Sequence, residues 1–203
     1  VTKITPIAAI PLYGRSADNI RDHRHVTSLL HRIETTDIGV LVTPTLSFDE
    51  RGHQVNHMTY YCVGWSGNGE KPVDFYPTAE DFVGEGGNFE RPYAIVKNAE
   101  GVKAGTRIEG LEAVGGLHFS EVTLEPEEEC SYLIFTGITE DIQEIRNLSK
   151  TYTTREMVLE ELEKTKAYWQ EKVNVAYHTG DSDFNQFMHW VSFQPILRRI
   201  YGC

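Results

Sequence analysis

Apolar positions in the first two thirds of the chain come in short runs with polar or Gly/Pro interruptions, a spacing that suits strands better than helices. Residues 5–13 and 39–48 are rich in Ile, Val, Leu and Thr and are bounded by Pro and Gly, so each predicts a strand. Between them Val26, Leu29, Leu30 and Ile33 recur at helical intervals, which predicts a short helix or a tightly packed irregular turn over 22–33. Residues 56–65 are aromatic and β-prone, and Ser66-Gly-Asn-Gly69 supplies a turn. Residues 75–92 hold Pro77, Gly84, Gly86, Gly87 and Pro92, which predicts a long, specifically shaped loop with one helical turn at 78–83. Residues 113–124 and 130–137 read as two antiparallel strands joined by the acidic turn Glu125-Pro-Glu-Glu-Glu129, whose carboxylates suit a solvated face.

After Gly137 the period changes to that of helices. Thr139 is a candidate cap for a helix to about Leu148, and Thr153 with Glu156 is a capping-box pattern opening a second. Val158, Leu162, Trp169 and Val173 then form a stripe opposite charged residues, suited to packing along a body. A third helix from about Ser182 carries Phe184, Phe187, Met188 and Val191 on one face, with Trp190, Phe193 and Leu197 making the remaining perimeter apolar; Pro195 should bend or interrupt it. A helix apolar on nearly every side belongs inside a larger helical assembly. The chain ends directly after this pattern, at Tyr201-Gly-Cys203, which predicts a cut inside a longer polypeptide. The expected division is therefore 1–138 β-rich, 139–177 helical linker, and 178–203 the start of a further helical domain.

The net charge of −11 disfavours a nucleic-acid surface, because phosphate contacts need local positive charge. No run is apolar and long enough for a membrane helix, so no membrane partner is expected. Three cysteines spread far apart suggest neither a disulfide framework nor a metal knuckle, and a cytoplasmic setting is the expectation.

The densest chemistry lies in two patches. One holds Arg15, Asp18, Arg21, Asp22, His23, Arg24 and His25; the other is Phe48-Asp-Glu-Arg-Gly-His53, with Asp49, Glu50, Arg51 and His53. A metal needs three or four converging ligands, and Arg21 and Arg24 oppose a cation, so no metal site is assigned. Guanidinium forks suit carboxylates or phosphate, while imidazoles and carboxylates suit sugar hydroxyls. The other reading has the same charges tying loops together by ion pairs. Asp49 and Glu50 are poor acid/base partners, because adjacent strand side chains point to opposite faces. Val83-Gly-Glu-Gly-Gly-Asn88 has the glycines of a phosphate loop without its order or its Lys-Ser/Thr, so Glu85 is a candidate for substrate contact or for holding the loop.

Taken together, Pro11-Leu-Tyr-Gly-Arg-Ser-Ala-Asp-Asn-Ile-Arg-Asp-His-Arg-His-Val-Thr-Ser-Leu-Leu30, Phe48-Asp-Glu-Arg-Gly-His53, Phe75-Tyr-Pro-Thr, Phe82-Val-Gly-Glu-Gly-Gly87 and Arg91-Pro92 resemble the inverting β-glycoside phosphorylases of glycoside hydrolase family 94. These are the relatives of cellobiose and chitobiose phosphorylase, and the likeness is greatest to the branch acting on β-1,2-glucans. The resemblance covers nearly the whole chain. It implies a mainly β fold: part of a large antiparallel β-sandwich, then linker helices, then the first helix of an (α/α)6 barrel. It further implies reversible phosphorolysis of β-linked gluco-oligosaccharides with inorganic phosphate as co-substrate and no other cofactor, a homodimer, and partnership with the remainder of the same polypeptide or a complementary chain. The general acid of that family falls in the barrel, so no catalytic residue is assigned here. The two charged patches and Glu85 become substrate-cleft candidates. The rival class is a non-catalytic β-sandwich module that binds glucan or a partner.

Overall fold

The computed structural model describes residues 1–12, 26–49 and 52–201. Contacts divide the chain into two units, Val1–Arg155 and Glu156–Cys203.

The first unit is built on two antiparallel sheets. In chain order the strands are β1 (Thr2–Ile4), β2 (Ile7–Leu12), β3 (Arg32–Thr35), β4 (Gly39–Val42), β5 (Leu46–Asp49), β6 (Gly52–Val55), β7 (Thr59–Ser66), β8 (Asp74–Thr78), β9 (Arg107–Glu109), β10 (Ala113–His118), β11 (Val122–Leu124) and β12 (Tyr132–Thr139). The larger sheet runs β12-β7-β4-β3-β9 and the smaller β2-β10-β8, with β1-β11 and β5-β6 as separate pairs. Leu12, Ile33, Val40, Val42, Cys62, Phe75 and Leu117 fill the space between the two sheets, as alternate positions of half-buried strands must. The approach is close: a Cβ on Gly115 of β10 would stand 2.2 Å from Cys62 Cβ on β7.

Both outer faces are partly covered. Tyr76, Phe82, Val83, Ala94 and Val114 pack between the smaller sheet and the short helices α1 (Ala79–Val83) and α2 (Tyr93–Lys97). On the larger sheet, α3 (Ile142–Thr151) buries Ile145, and the Trp65 indole N–H donates to the Tyr152 carbonyl at 2.9 Å. Trp65, Phe135 and Tyr152 stack in succession, with centroids 5.1 and 5.5 Å apart.

Several local expectations change against this frame. Residues 39–48 form two strands, because Pro44 has no N–H to continue a ladder. Over 22–33, expected as a short helix or a tightly packed irregular turn, residues 26–28 are helical and 29–30 form a turn among those described. Ile33 instead lies on β3, paired with Val42, and Val26 and Leu29 are exposed, so no apolar helical stripe is buried there. Residues 74–78 are a fully buried strand rather than the start of a loop, with Pro77 inside it, while the helical turn after Thr78 is as expected. Residues 113–124 and 130–137 do not pair as a hairpin. β10 lies between β2 and β8, β11 pairs with β1, and β12 pairs with β7. Alternation shows that each run buries a face but not which neighbour it chooses. The cap of α3 is Asp141, whose carboxylate accepts from Gln143 N–H at 2.8 Å, and Thr139 sits two residues back, bonded to the Asp141 N–H and Glu144.

In the second unit α4 (Arg155–Lys172) exposes most of its residues, and Glu161–Lys164 and Glu163–Lys166 pair along its surface. Of its expected apolar stripe Val173 is buried, Val158 and Trp169 are half-buried and Leu162 is exposed. α5 (Ser182–Tyr201) is capped by Asp181, which accepts from the N–H groups of Asp183 and Phe184, and continues through Pro195. Trp169 meets Phe193 at 4.2 Å between centroids, while Phe184, Phe187 and Trp190 stand exposed.

Candidate functional site

The irregular segments gather at one end of the sandwich. Leu12 pairs with Ala113, and Ala113 pairs with Thr78, so β2 ends, β10 begins and β8 ends at the same level. Arg32 pairs with Glu109 at the corresponding end of the larger sheet, and residues 110–112 join the two. Chain segments that enter or leave here are therefore held as neighbours by strand register alone.

Each is tied down by backbone chemistry. The Leu30 carbonyl accepts from Thr45 N–H at 3.0 Å, fixing the base of the β5–β6 hairpin beside residues 26–31. Gly110 N–H donates to the His31 carbonyl at 3.0 Å, and His31 Nδ1 lies 3.1 Å from the Leu111 carbonyl. A carbonyl only accepts, so Nδ1 carries the proton in that bond. His31 is 1% exposed, a buried anchor between the 26–31 turn and the 110–112 turn. On the other side the Ala79 N–H donates to the Glu112 carbonyl at 2.8 Å, and Thr78 Oγ1 accepts from Asp81 N–H at 3.0 Å to start α1.

The loop after α1 is shaped by its glycines. Gly84 and Gly86 have φ of +83° and +67°, where side-chain-bearing residues are strained, and a Cβ on Gly87 would come within 2.2 Å of the Val83 carbonyl oxygen. Asn88 Oδ1 then accepts from the N–H groups of Glu90 and Arg91 at 3.0 and 3.1 Å, closing the turn. Between this loop, Ser28 and residues 110–112 lies a cleft of about 800 Å³. Glu80, Glu85, Glu112, Val83, Leu111 and Phe89 contribute to its walls.

Of the residues singled out from sequence, Glu85 lies in this cleft and is exposed. Asp49 and His53 belong to facing strands of the β5–β6 hairpin, where Asp49 pairs with Gly52 and Phe48 with His53. Arg15, Asp18, Arg21, Asp22, His23, Arg24, His25, Glu50 and Arg51 lie outside the described residues. The described flanks of the first patch, Leu12 and Val26–Ser28, belong to this end of the sandwich, as does the base of the hairpin carrying the second. Sequence reasoning missed Phe89 and Glu112 as cleft residues and His31 as an anchor. The available signal was the run Gly-Gly-Asn-Phe, in which an aromatic directly follows a forced turn.

Residues 15–155 match the family described as glycosyl hydrolase 94, supersandwich domain. The chain belongs to that family. The match spans the larger sheet, strands β8 and β10 of the smaller sheet and α3, so the glycosyl hydrolase 94 supersandwich is the body that carries the cleft. No curated protein matches the chain. The family ties the chain to glycoside phosphorylases and carbohydrate chemistry.

A second polar cluster lies at the opposite end of the smaller sheet. His118 Nδ1 meets Asp74 Oδ1 at 2.7 Å, Lys103 Nζ stands 3.8 Å from the other oxygen, and Tyr76 stacks on the imidazole at 5.9 Å. Asp74 is paired from two sides and supports packing. Among the described residues no group of three or more His, Cys, Asp or Glu side chains is placed to hold a metal ion, and no helix is long and apolar enough to cross a membrane.

Proposed function

We propose that the chain is the supersandwich and following helices of a β-glucan phosphorylase, which converts β-linked gluco-oligosaccharides, β-1,2-linked by the sequence resemblance, and phosphate into α-glucose 1-phosphate with inversion. The observation that carries this reading is the family match over residues 15–155, joined to the gathering of loops at one end of the sandwich. In this reading the sandwich is scaffold and cleft wall, and it holds no general acid. Phosphate attacks the anomeric carbon while a carboxylic acid of the helical domain protonates the leaving oxygen; no second carboxylate is needed to activate water, because phosphate already carries negative charge. Residues 139–177 act as linker, and α5, with Phe184, Phe187 and Trp190 exposed, opens an (α/α)6 barrel formed by the remainder of the polypeptide. The patches around Arg21–His25 and Asp49–His53 border the sugar cleft of a cytoplasmic homodimer.

The test is release of glucose 1-phosphate by the complete polypeptide from β-1,2-, β-1,3- and β-1,4-linked gluco-oligosaccharides with inorganic phosphate. Turnover with β-1,2-linked substrates supports the whole reading, and turnover with another linkage alone corrects the substrate. No release from any of them points to the non-catalytic module.

A further inference from the structure

Among the described residues β9 is an edge strand of the larger sheet, and its sequence Arg107-Ile108-Glu109 is the electrostatic complement of itself read backwards. On the outer face it continues a charge ladder from β3, with Arg32 3.4 Å from Glu109 and Glu34 3.3 Å from Arg107, while Ile33 and Ile108 turn inward to the core. The Arg107 and Glu109 side chains are still 76% and 70% exposed.

The backbone is open at the same edge. The Thr35 N–H donates to the Thr106 carbonyl and the His31 carbonyl accepts from the Gly110 N–H, both at 3.0 Å, whereas Arg32 exchanges its bonds with Thr43 on the other side. Bonding direction alternates along a strand, so Ile33 addresses β9 and Ile108 answers it. The N–H and C=O groups of Arg107 and Glu109 therefore point to the free edge, and among the described residues none bonds to them.

Charge ordinarily guards an edge, because a strand of one sign meets a copy of itself as like against like. β9 carries opposite signs on the two sides of its centre. Antiparallel pairing about Ile108 sets Arg107 of each copy opposite Glu109 of the other, an isologous contact, and the signs then alternate without a break from β3 of one copy to β3 of the next. Parallel pairing would instead oppose Arg107 to Arg107. The backbone agrees with the antiparallel choice: Arg107 and Glu109 face each other as hydrogen-bonded pairs, and Ile108 meets Ile108 as a non-hydrogen-bonded pair on the inner face.

We propose that β9 is the seam of a homodimer in which a second copy of this chain adds its own β9 antiparallel, joining the two larger sheets into one. The seam deepens the homodimer put forward above and rests on that reading only in that two copies meet; phosphorolysis plays no part in it. A three-residue edge buries less than the roughly 1,200–2,000 Å² of a standard interface, so in this chain the seam gives a concentration-dependent dimer of fixed register.

The 203-residue chain is followed by sedimentation velocity up to about 1 mM as wild type, Arg107→Glu and Glu109→Arg, each checked for native circular dichroism. The first variant carries two carboxylates on the edge and the second two guanidinium groups, so each alone should self-associate about tenfold or more weakly than the wild type. An equimolar mixture of the two should restore association as a heterodimer. Ile108→Cys, in a chain carrying Cys130→Ser and Cys203→Ser, should oxidise with diamide to a disulfide-linked dimer, because facing non-hydrogen-bonded positions lie about 4.5 Å apart between Cα atoms. A wild type that stays monomeric throughout, single variants that associate like it, a mixture without rescue, or no cross-link overturns the seam. A complete polypeptide that is dimeric all the same leaves the homodimer reading standing, and a monomeric one removes that as well.

Discussion

The Cys62 thiol shows how much one position carries. Burial between the sheets pushes its pKa from 9.0 up to about 12, so the fold favours the neutral thiol. A raised folded pKa contributes stability that is full below the unfolded value and lost as pH rises through the folded one, so this contribution fades between about pH 9 and 12. Burial raises Tyr60 in the same direction. Urea midpoints should therefore fall with pH in that window, and the slope should be shallower in Cys62→Ala; equal slopes would contradict the assignment. Peptide mapping after brief alkylation at pH 8 should find the exposed Cys130 modified and Cys62 untouched until denaturant is added. Gly115→Ala should cost about 1–3 kcal/mol in urea unfolding, the usual range for overpacking a filled core. None of this was legible in the sequence, since Cys62 and Gly115 meet only because two sheets stack. Thr78, whose side-chain oxygen acts within one turn of chain, was legible as the start of a helical turn.

Elements were legible where the signal is local and misread where a partner decides. The turn at Ser66–Gly69, the helix after Thr78 and the apolar helix from Ser182 follow from residues next to one another. The 113–124 and 130–137 runs were correctly seen as β-prone, but β10 has its neighbours in β2 and β8 and β12 has its neighbour in β7, so the inferred hairpin failed on pairing alone. The helix α3 is likewise settled by a distant contact. Trp65 on β7 donates to Tyr152 just beyond that helix, and the stacked rings hold it on the larger sheet. Trp65→Phe keeps the stacking and removes the hydrogen bond, so it should cost about 1 kcal/mol and lower Tm by about 2–4 °C. A chain ending after Thr139 uncovers Trp65 and Phe135 and should melt well below one ending at Arg155, measured by the same thermal scan.

At the scale of the molecule, strand register brings the loops of both sheets to one end, and that end holds the cleft with Glu85 and Phe89. The family was legible from scattered short motifs, several of which lie on or beside these loops. Phe89 was not, because its place on the cleft wall comes from the turn before it and its contact with Phe82. A phosphorylase role for this sandwich is put to the test by following the complete polypeptide with β-1,2-linked gluco-oligosaccharide and inorganic phosphate by phosphorus NMR. Phosphorolysis makes the α-glucose 1-phosphate resonance grow at the expense of phosphate. Release of free glucose with the phosphate signal unchanged, or no reaction with any β-linked glucan, would contradict it.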